Sequence, residues 1–92
     1  MIIKAVFDDS NDFYLLNIPL CNFGEIEKLQ DEFFAWIFNK NNDHEYWVTV
    51  GASKVGCAYG IEAFIKWMKK YHSVDINTLD VCDDAFVPEI YF

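Results

Sequence analysis

Arginine is absent from this chain, and its fifteen acidic side chains outnumber seven lysines to give a formal net charge of −8 over 92 residues. Proteins that read DNA or RNA usually carry a basic stripe, and arginine supplies the forked contact to guanine edges and phosphates. An anionic membrane surface would also repel this charge. These features argue against direct binding to nucleic acid or membranes and favour a basic protein partner.

Long apolar runs and an even set of cysteines are also missing. No stretch approaches the roughly 20 apolar residues of a membrane span, and the N-terminal apolar run is too short for a signal peptide. Cys21, Cys57 and Cys82 are an odd number without close pairing, whereas disulfide-stapled secreted domains usually contain an even number. We therefore expect a cytoplasmic protein.

Glycine and proline are scarce, with four and two residues, whereas 53% of the residues are hydrophobic and 18% are aromatic. This composition is typical of a packed globule, because large rings bury much apolar area per ordered residue. A chain of this length buries only about two-thirds of its unfolded surface. We expect one folded domain spanning residues 1–92, with a thin margin of stability.

The first third of the chain predicts a hairpin followed by a helix. Residues 2–7 and 13–18 are β-branched and aromatic and flank a polar loop at 8–12. Alternation places these side chains on the buried strand faces: Ile3, Ala5 and Phe7, and Tyr14, Leu16 and Ile18. Asn22 or Gly24 caps a helix that runs to about Phe38.

The rest of the chain predicts a strand, a helix and a strand. Residues 45–50 form the third strand, and the second helix runs from about Gly56 or Tyr59 to His72. Residues 85–92 form a last strand, which Pro88 restricts to an edge of the sheet or to a break near the strand's start. The order β-β-α-β-α-β indicates an α+β fold with two helices packed on one face of a mostly antiparallel four-stranded sheet. One parallel pair across a right-handed β-α-β crossover is the alternative.

Tests for catalytic and ligand motifs fail. The glycine-punctuated stretch at 50–60 lacks both phosphate-loop spacings and is interpreted as a strand-to-helix connection. Cys57 would lie near a helix start, where thiolates are favoured, but a nucleophile needs His44 or His72 within hydrogen-bond reach. A small thiol-dependent enzyme or ligand-binding domain centred on this stretch is retained only as a lesser alternative.

Metal motifs fail in the same way. Asp8-x-Ser10-x-Asp12 begins like a calcium loop, but Phe13 stands where the turn glycine belongs and Pro19 where the bidentate glutamate belongs. Paired cysteine and histidine spacings typical of zinc sites are also missing. The sequence predicts no metal and no cofactor.

The first helix carries more aromatic side chains than one core stripe needs. At about 100° per residue, Ile26, Leu29, Phe33, Trp36 and Ile37 form a stripe of ordinary width. Phe34 and Phe38 lie beyond it, interleaved with Glu27 and Asp31. Either the two rings pack under a neighbouring segment, or they form a partner-binding patch, since aromatics bordered by charge are typical of interfaces. Trp67, at the border of the second helix's apolar stripe, and Trp47, on the wet face of the third strand, raise the same question.

Acidic residues also accumulate near the C-terminus, where residues 71–92 contain five acids and no lysine. We include Asp80, Asp83 and Asp84 with Phe34, Phe38, Glu27, Asp31 and Trp67 as predicted partner-binding residues. Their chemistry predicts a non-enzymatic inhibitor of a basic protein, most concretely an immunity protein that neutralises a bacterial toxin such as a nuclease with a basic cleft. The alternative is a phage or mobile-element antagonist that mimics DNA charge to block a host defence nuclease. The oligomeric state is left open.

Overall fold

Two helices and six strands occupy the residues that the computed structural model describes, which are 1–7, 12–80 and 87–92. In chain order they are β1 (Ile2–Phe7), β2 (Asp12–Asn17), α1 (Phe23–Ile37), β3 (Trp47–Val50), β4 (Ser53–Cys57), α2 (Ile61–His72), β5 (Asn77–Leu79) and β6 (Glu89–Tyr91). The predicted α+β class is confirmed, although the strands are arranged differently from the expectation.

The main sheet has four strands in the order β5-β2-β1-β6. The predicted hairpin is present as the antiparallel pair β1–β2, and β5 adds to it antiparallel. The last strand joins β1 in parallel, and its position at the edge agrees with the expectation from Pro88. The sheet is therefore mostly antiparallel with one parallel pair.

One face of this sheet carries the core. Ile3 pairs with Leu16 in the β1–β2 register, and both side chains are fully buried. Ala5 and Ile90 extend the same buried layer, and both helices pack on it through one apolar cluster. The helical members of that cluster are Ile26, Phe33, Ile37, Ile61, Ala63, Phe64, Trp67 and Met68. Strand alternation correctly predicts this face at Ile3, Ala5 and Leu16.

Helix α1 begins after Asn22, whose side-chain oxygen accepts a hydrogen bond from the Gly24 amide at 2.8 Å. Its buried line is Ile26, Gln30, Phe33 and Ile37. Gln30 is tolerated there because its side-chain amide donates to the Tyr91 carbonyl on β6 at 2.5 Å. The core line is thus rotated relative to the predicted stripe, and Leu29 and Trp36 are only half-buried.

The stretch at 50–60 is a hairpin, so its interpretation as a strand-to-helix connection is wrong. Gly51 has a φ of 62° in the two-residue turn between Val50 and Ser53, and glycine at the first central position favours such a turn. Strands β3 and β4 form a separate two-stranded sheet. The third strand was predicted to join the main sheet, but it belongs to this separate sheet instead.

Two further boundaries differ from the prediction. Helix α2 begins at Ile61 after Gly60, because residues expected in its first turns belong to β4. The short strand β5 was not predicted, since three residues with two polar members give no alternating signal. The predicted last strand at 85–92 is described only over Glu89–Tyr91 as strand, and its residues 85 and 86 lie outside the described part.

Candidate functional site

Four predicted site residues form one line along the solvent side of α1. Glu27, Asp31, Phe34 and Phe38 follow one another at spacings of four, three and four residues, which places neighbours one turn apart on a helix. Phe38 directly follows the last helical residue, Ile37. We call these four residues the acid–aromatic line. The structure therefore brings together two carboxylates and two rings, as the helical spacing predicts.

The two rings of the line differ in burial. Phe34 is half-buried and meets the Phe92 ring edge-on at a centroid distance of 5.9 Å. Phe38 remains 52% exposed, although its ring lies 6.2 Å from Phe34 and 6.2 Å from Tyr59. Packing under the C-terminal segment thus explains Phe34, whereas Phe38 presents most of its ring to solvent.

The carboxylates of the line are exposed and without ion pairs. Elsewhere lysines contact acids, in the pairs Lys4–Glu89, Lys54–Asp43, Lys66–Glu45 and Lys69–Asp75. Within residues 1–7, 12–80 and 87–92, neither Glu27 nor Asp31 lies within 4.0 Å of a cationic nitrogen. Among the described residues, their negative charge is therefore not compensated by a cation at short range.

Two of the other predicted partner-binding residues, Trp67 and Asp80, do not join this line. Trp67 is only 5% exposed and packs edge-on against Phe33 at 5.6 Å, so its ring belongs to the core. Asp80 follows β5, whereas Gln30 ties α1 to β6 at the opposite edge of the sheet. Asp83 and Asp84 lie outside the described residues.

A second aromatic surface lies on the other flank of α1, where sequence periodicity predicts core. Half-buried Trp36 lines a cleft of about 460 Å³ between α1, the loop before β3 and α2. Tyr71, also on this cleft, is 50% exposed. The rings contact each other at a centroid distance of 5.8 Å. Helical periodicity missed this surface because it assigned Trp36 to the core stripe of the first helix, and periodicity alone does not report where a neighbouring element leaves space.

His44 is held beside this cleft by its two ring nitrogens. Nε2 lies 2.7 Å from the Ile37 carbonyl, and Nδ1 lies 3.2 Å from the Tyr46 amide, which can only donate. Nδ1 therefore accepts, and Nε2 carries the proton and donates. The ring also stacks on Trp47 at 5.0 Å with an interplanar angle of 7°. His44 thus serves as a structural link between the C-terminus of α1 and the hairpin.

Cys57 shares the acceptor of His44. Its Sγ donates to the Ile37 carbonyl at 3.2 Å, so the hydrogen bond of this thiol goes to the backbone and not to a histidine. Both His44 nitrogens are engaged by backbone groups. Burial raises the pKa of the Cys57 thiol, and the residue lies in β4 rather than at a helix start. This arrangement keeps the thiol protonated instead of activating it.

Neither a metal site nor a membrane-spanning helix is found in the part of the chain that the structure describes. Among the described residues, no group of three or more histidine, cysteine or acidic side chains is arranged to hold a metal ion. Neither described helix, of 15 and 12 residues, is long and apolar enough to cross a bilayer.

No protein-family model, curated protein or solved structure matches the chain. The residues themselves are therefore the basis for assigning a function.

Proposed function

We propose that this chain is a non-enzymatic inhibitor that binds a basic protein partner, most concretely an immunity protein that neutralises a bacterial toxin with a basic active cleft. The observation that carries the proposal is the acid–aromatic line on α1. The line ends in the 52%-exposed ring of Phe38. The exposed carboxylates of Asp31 and Glu27 precede this ring by seven and eleven residues on the same flank, and neither has an ion pair within the described residues. Exposed rings next to charge have the composition of binding hot spots.

The two kinds of side chain have separate roles in this proposal. The net charge of −8 attracts a basic partner over a distance and speeds encounter, an effect that salt screens. Phe38 fills an apolar depression in the partner and slows dissociation after encounter. Phe38 packs on Phe34, which in turn packs on Phe92. Phe34 is therefore already held in place and loses little side-chain freedom when Phe38 binds the partner.

Growth rescue tests the biological role. The products of the genes adjacent to this chain's gene are expressed singly in a bacterial host, and any toxic product is then co-expressed with this protein. We expect one of them to be toxic, this protein to restore growth, and the two purified proteins to form a complex. If this protein rescues none of the toxic products, or if none of the products is toxic, the immunity role is wrong.

Variants of the acid–aromatic line test the surface within that complex. Phe38→Ala should weaken binding by about 30-fold, the loss typical of a hot-spot ring, mainly through faster dissociation. The double variant E27Q/D31N should slow association at low salt by about tenfold and flatten its salt dependence. The control E62Q/D75N makes the same change in net charge with exposed acids of the α2 side. Equal association rates for the two double variants would remove the line from the interface.

A further inference from the structure

The cleft beside Trp36 is lined by an unusual number of rings for an open surface. His44 lies 4.9 Å from Trp36 and 5.5 Å from Tyr46, and Tyr71 lies 5.8 Å from Trp36 and 6.1 Å from Trp67. We call these five rings, which line the cleft from α1, the loop before β3 and α2, the aromatic wall. Planar ligands are commonly held by such aromatic walls, and about 460 Å³ lies within the range of small-molecule sites.

Core packing does not account for this wall. The backing ring, Trp67, is buried, but Trp36 and Tyr46 are half-buried and Tyr71 is half-exposed toward open space. A chain of 92 residues has little apolar surface to spare for exposure. Hydrogen bonds also hold the wall in place before any ligand binds. The Asn42 side-chain amide donates to the Trp36 carbonyl. His44 donates from Nε2 to the Ile37 carbonyl and accepts at Nδ1 from the Tyr46 amide.

The charges around the wall leave one cation in excess. The two acids of the cleft each face a lysine: Asp43 lies 2.6 Å from the Lys54 ammonium, and Glu45 lies 4.0 Å from that of Lys66. Lys70 also lines the cleft, and within the described ranges no carboxylate lies within 4.0 Å of its ammonium. Its Nζ lies 5.3 Å from the centre of the Tyr71 ring. The cation is therefore placed beside the aromatic wall, within an otherwise acidic protein.

We propose that this cleft binds a small planar aromatic anion. Its ring packs against the Trp36 and Tyr71 rings, which are inclined at 56° to each other, and its carboxylate or other acidic group faces Lys70. This ligand class satisfies both features of the site, since a neutral ring would leave the Lys70 charge unused and an aromatic cation would be repelled by it. The site is on the opposite flank of α1 from the acid–aromatic line. The proposal therefore does not depend on the proposed partner.

Matched probes test the ring and the charge separately. Chemical-shift titrations of the ¹⁵N-labelled full chain at low ionic strength would compare 2-naphthoate with its neutral isostere 2-naphthamide. We expect both probes to shift the Trp36 indole and the amides around His44, Tyr46 and Tyr71, with 2-naphthoate binding about fivefold more tightly. Equal affinities, shifts confined to another surface, or no shifts would overturn the proposal.

Variants assign the two contributions to residues. Lys70→Gln should bring the affinity for 2-naphthoate down to that for 2-naphthamide, whereas Lys28→Gln, an exposed lysine of α1 outside the cleft, should leave the preference unchanged. Tyr71→Ala should weaken both probes equally. The same spectra report whether each variant is folded. If Tyr71→Ala does not fold, the Lys70→Gln comparison still decides the proposal. A charge preference retained in Lys70→Gln would overturn it.

Discussion

The two flanks of α1 are similar in aromatic content and opposite in surroundings. On one flank Phe34 and Phe38 adjoin Glu27 and Asp31, whose charges are unpaired within the described part of the chain. On the other flank Trp36 faces a cleft where acids are paired with lysines and Lys70 is in excess. One helix thus carries one aromatic surface beside acids and another on a cleft that Lys70 lines. Neighbouring charge and the presence of a cleft, rather than the number of rings, distinguish the two flanks.

Phe33 lies between the flanks, and its loss should have the largest effect. The fully buried ring contacts Phe34 at 5.9 Å on one side and Trp36 at 6.2 Å on the other. Phe33→Ala should lower the free energy of unfolding by about 3–5 kcal/mol through lost burial and a cavity. Phe38→Ala, on an exposed ring, should cost less than about 1 kcal/mol.

Urea denaturation of the two phenylalanine variants measures this difference. A small domain has a total stability of about 5–15 kcal/mol, so Phe33→Ala approaches complete unfolding while Phe38→Ala stays folded for binding assays. Similar losses in the two variants would mean that Phe38 belongs to the core and that the flanks are not independent surfaces.

His44 supports the cleft flank alone, and its removal should have an intermediate effect. His44→Ala removes the hydrogen bond to the Ile37 carbonyl, leaves the Tyr46 amide without its acceptor and removes the ring stacked on Trp47. We expect a loss of about 1–2 kcal/mol in the free energy of unfolding. Amide shifts should change around the hairpin and the cleft, and not at Glu27 or Asp31.

The second histidine provides the control for this variant. His72 Nε2 lies 3.2 Å from a Glu32 carboxylate oxygen, in a partly exposed contact that is an ion pair only when the imidazole is protonated, and the His72 ring lies 4.9 Å from Trp67. Partly exposed pairs contribute about 0–1 kcal/mol. His72→Ala should therefore cost less than His44→Ala in thermal or urea unfolding. The reverse order would show that His44 does not hold the hairpin to α1.

Sequence reasoning predicted the acid–aromatic line better than the cleft, for a physical reason. Glu27, Asp31, Phe34 and Phe38 are neighbours through helical spacing, which the sequence specifies directly. The cleft depends on where residues 41–46 pass over α1 and α2. This path follows from hydrogen bonds to the Trp36 and Ile37 carbonyls from the side chains of Asn42 and His44, six and seven residues later. Helical and strand periodicity do not encode such side-chain contacts within a loop.

The same distinction explains the errors in the fold. The hairpin β1–β2 was predicted because alternation and a polar loop are local signals. The hairpin β3–β4 was missed although Gly51 at the turn is also a local signal, because the glycines at 51, 56 and 60 were assigned together to one connection. The pairing of β1 with β6 joins strands from the two ends of the chain, and sequence patterns do not specify such a partner.

The smallest expected effect is a change in alkaline stability that arises from Cys57, on the inner side of the hairpin. Burial raises the thiol pKa above its ordinary value of 9.0 in the folded protein. Between that value and the higher folded pKa, the unfolded chain has lost the proton that the folded chain keeps. Fewer protons are then bound in the unfolded state, so stability falls as the pH rises through this window.

Cys57→Ser keeps a hydrogen-bond donor for the Ile37 carbonyl and removes this titration, so its stability should fall less steeply than that of the parent as the pH rises above about 9. Tyr46, whose pKa is raised above 10.0 chiefly by burial, still contributes to the decline at higher pH in both proteins. Urea midpoints measured from neutral to alkaline pH check this, with Cys21→Ser as the exposed control. If the Cys57→Ser and Cys21→Ser curves ran parallel, Cys57 would be as accessible as Cys21, and a reactive thiol beside His44 would again need consideration.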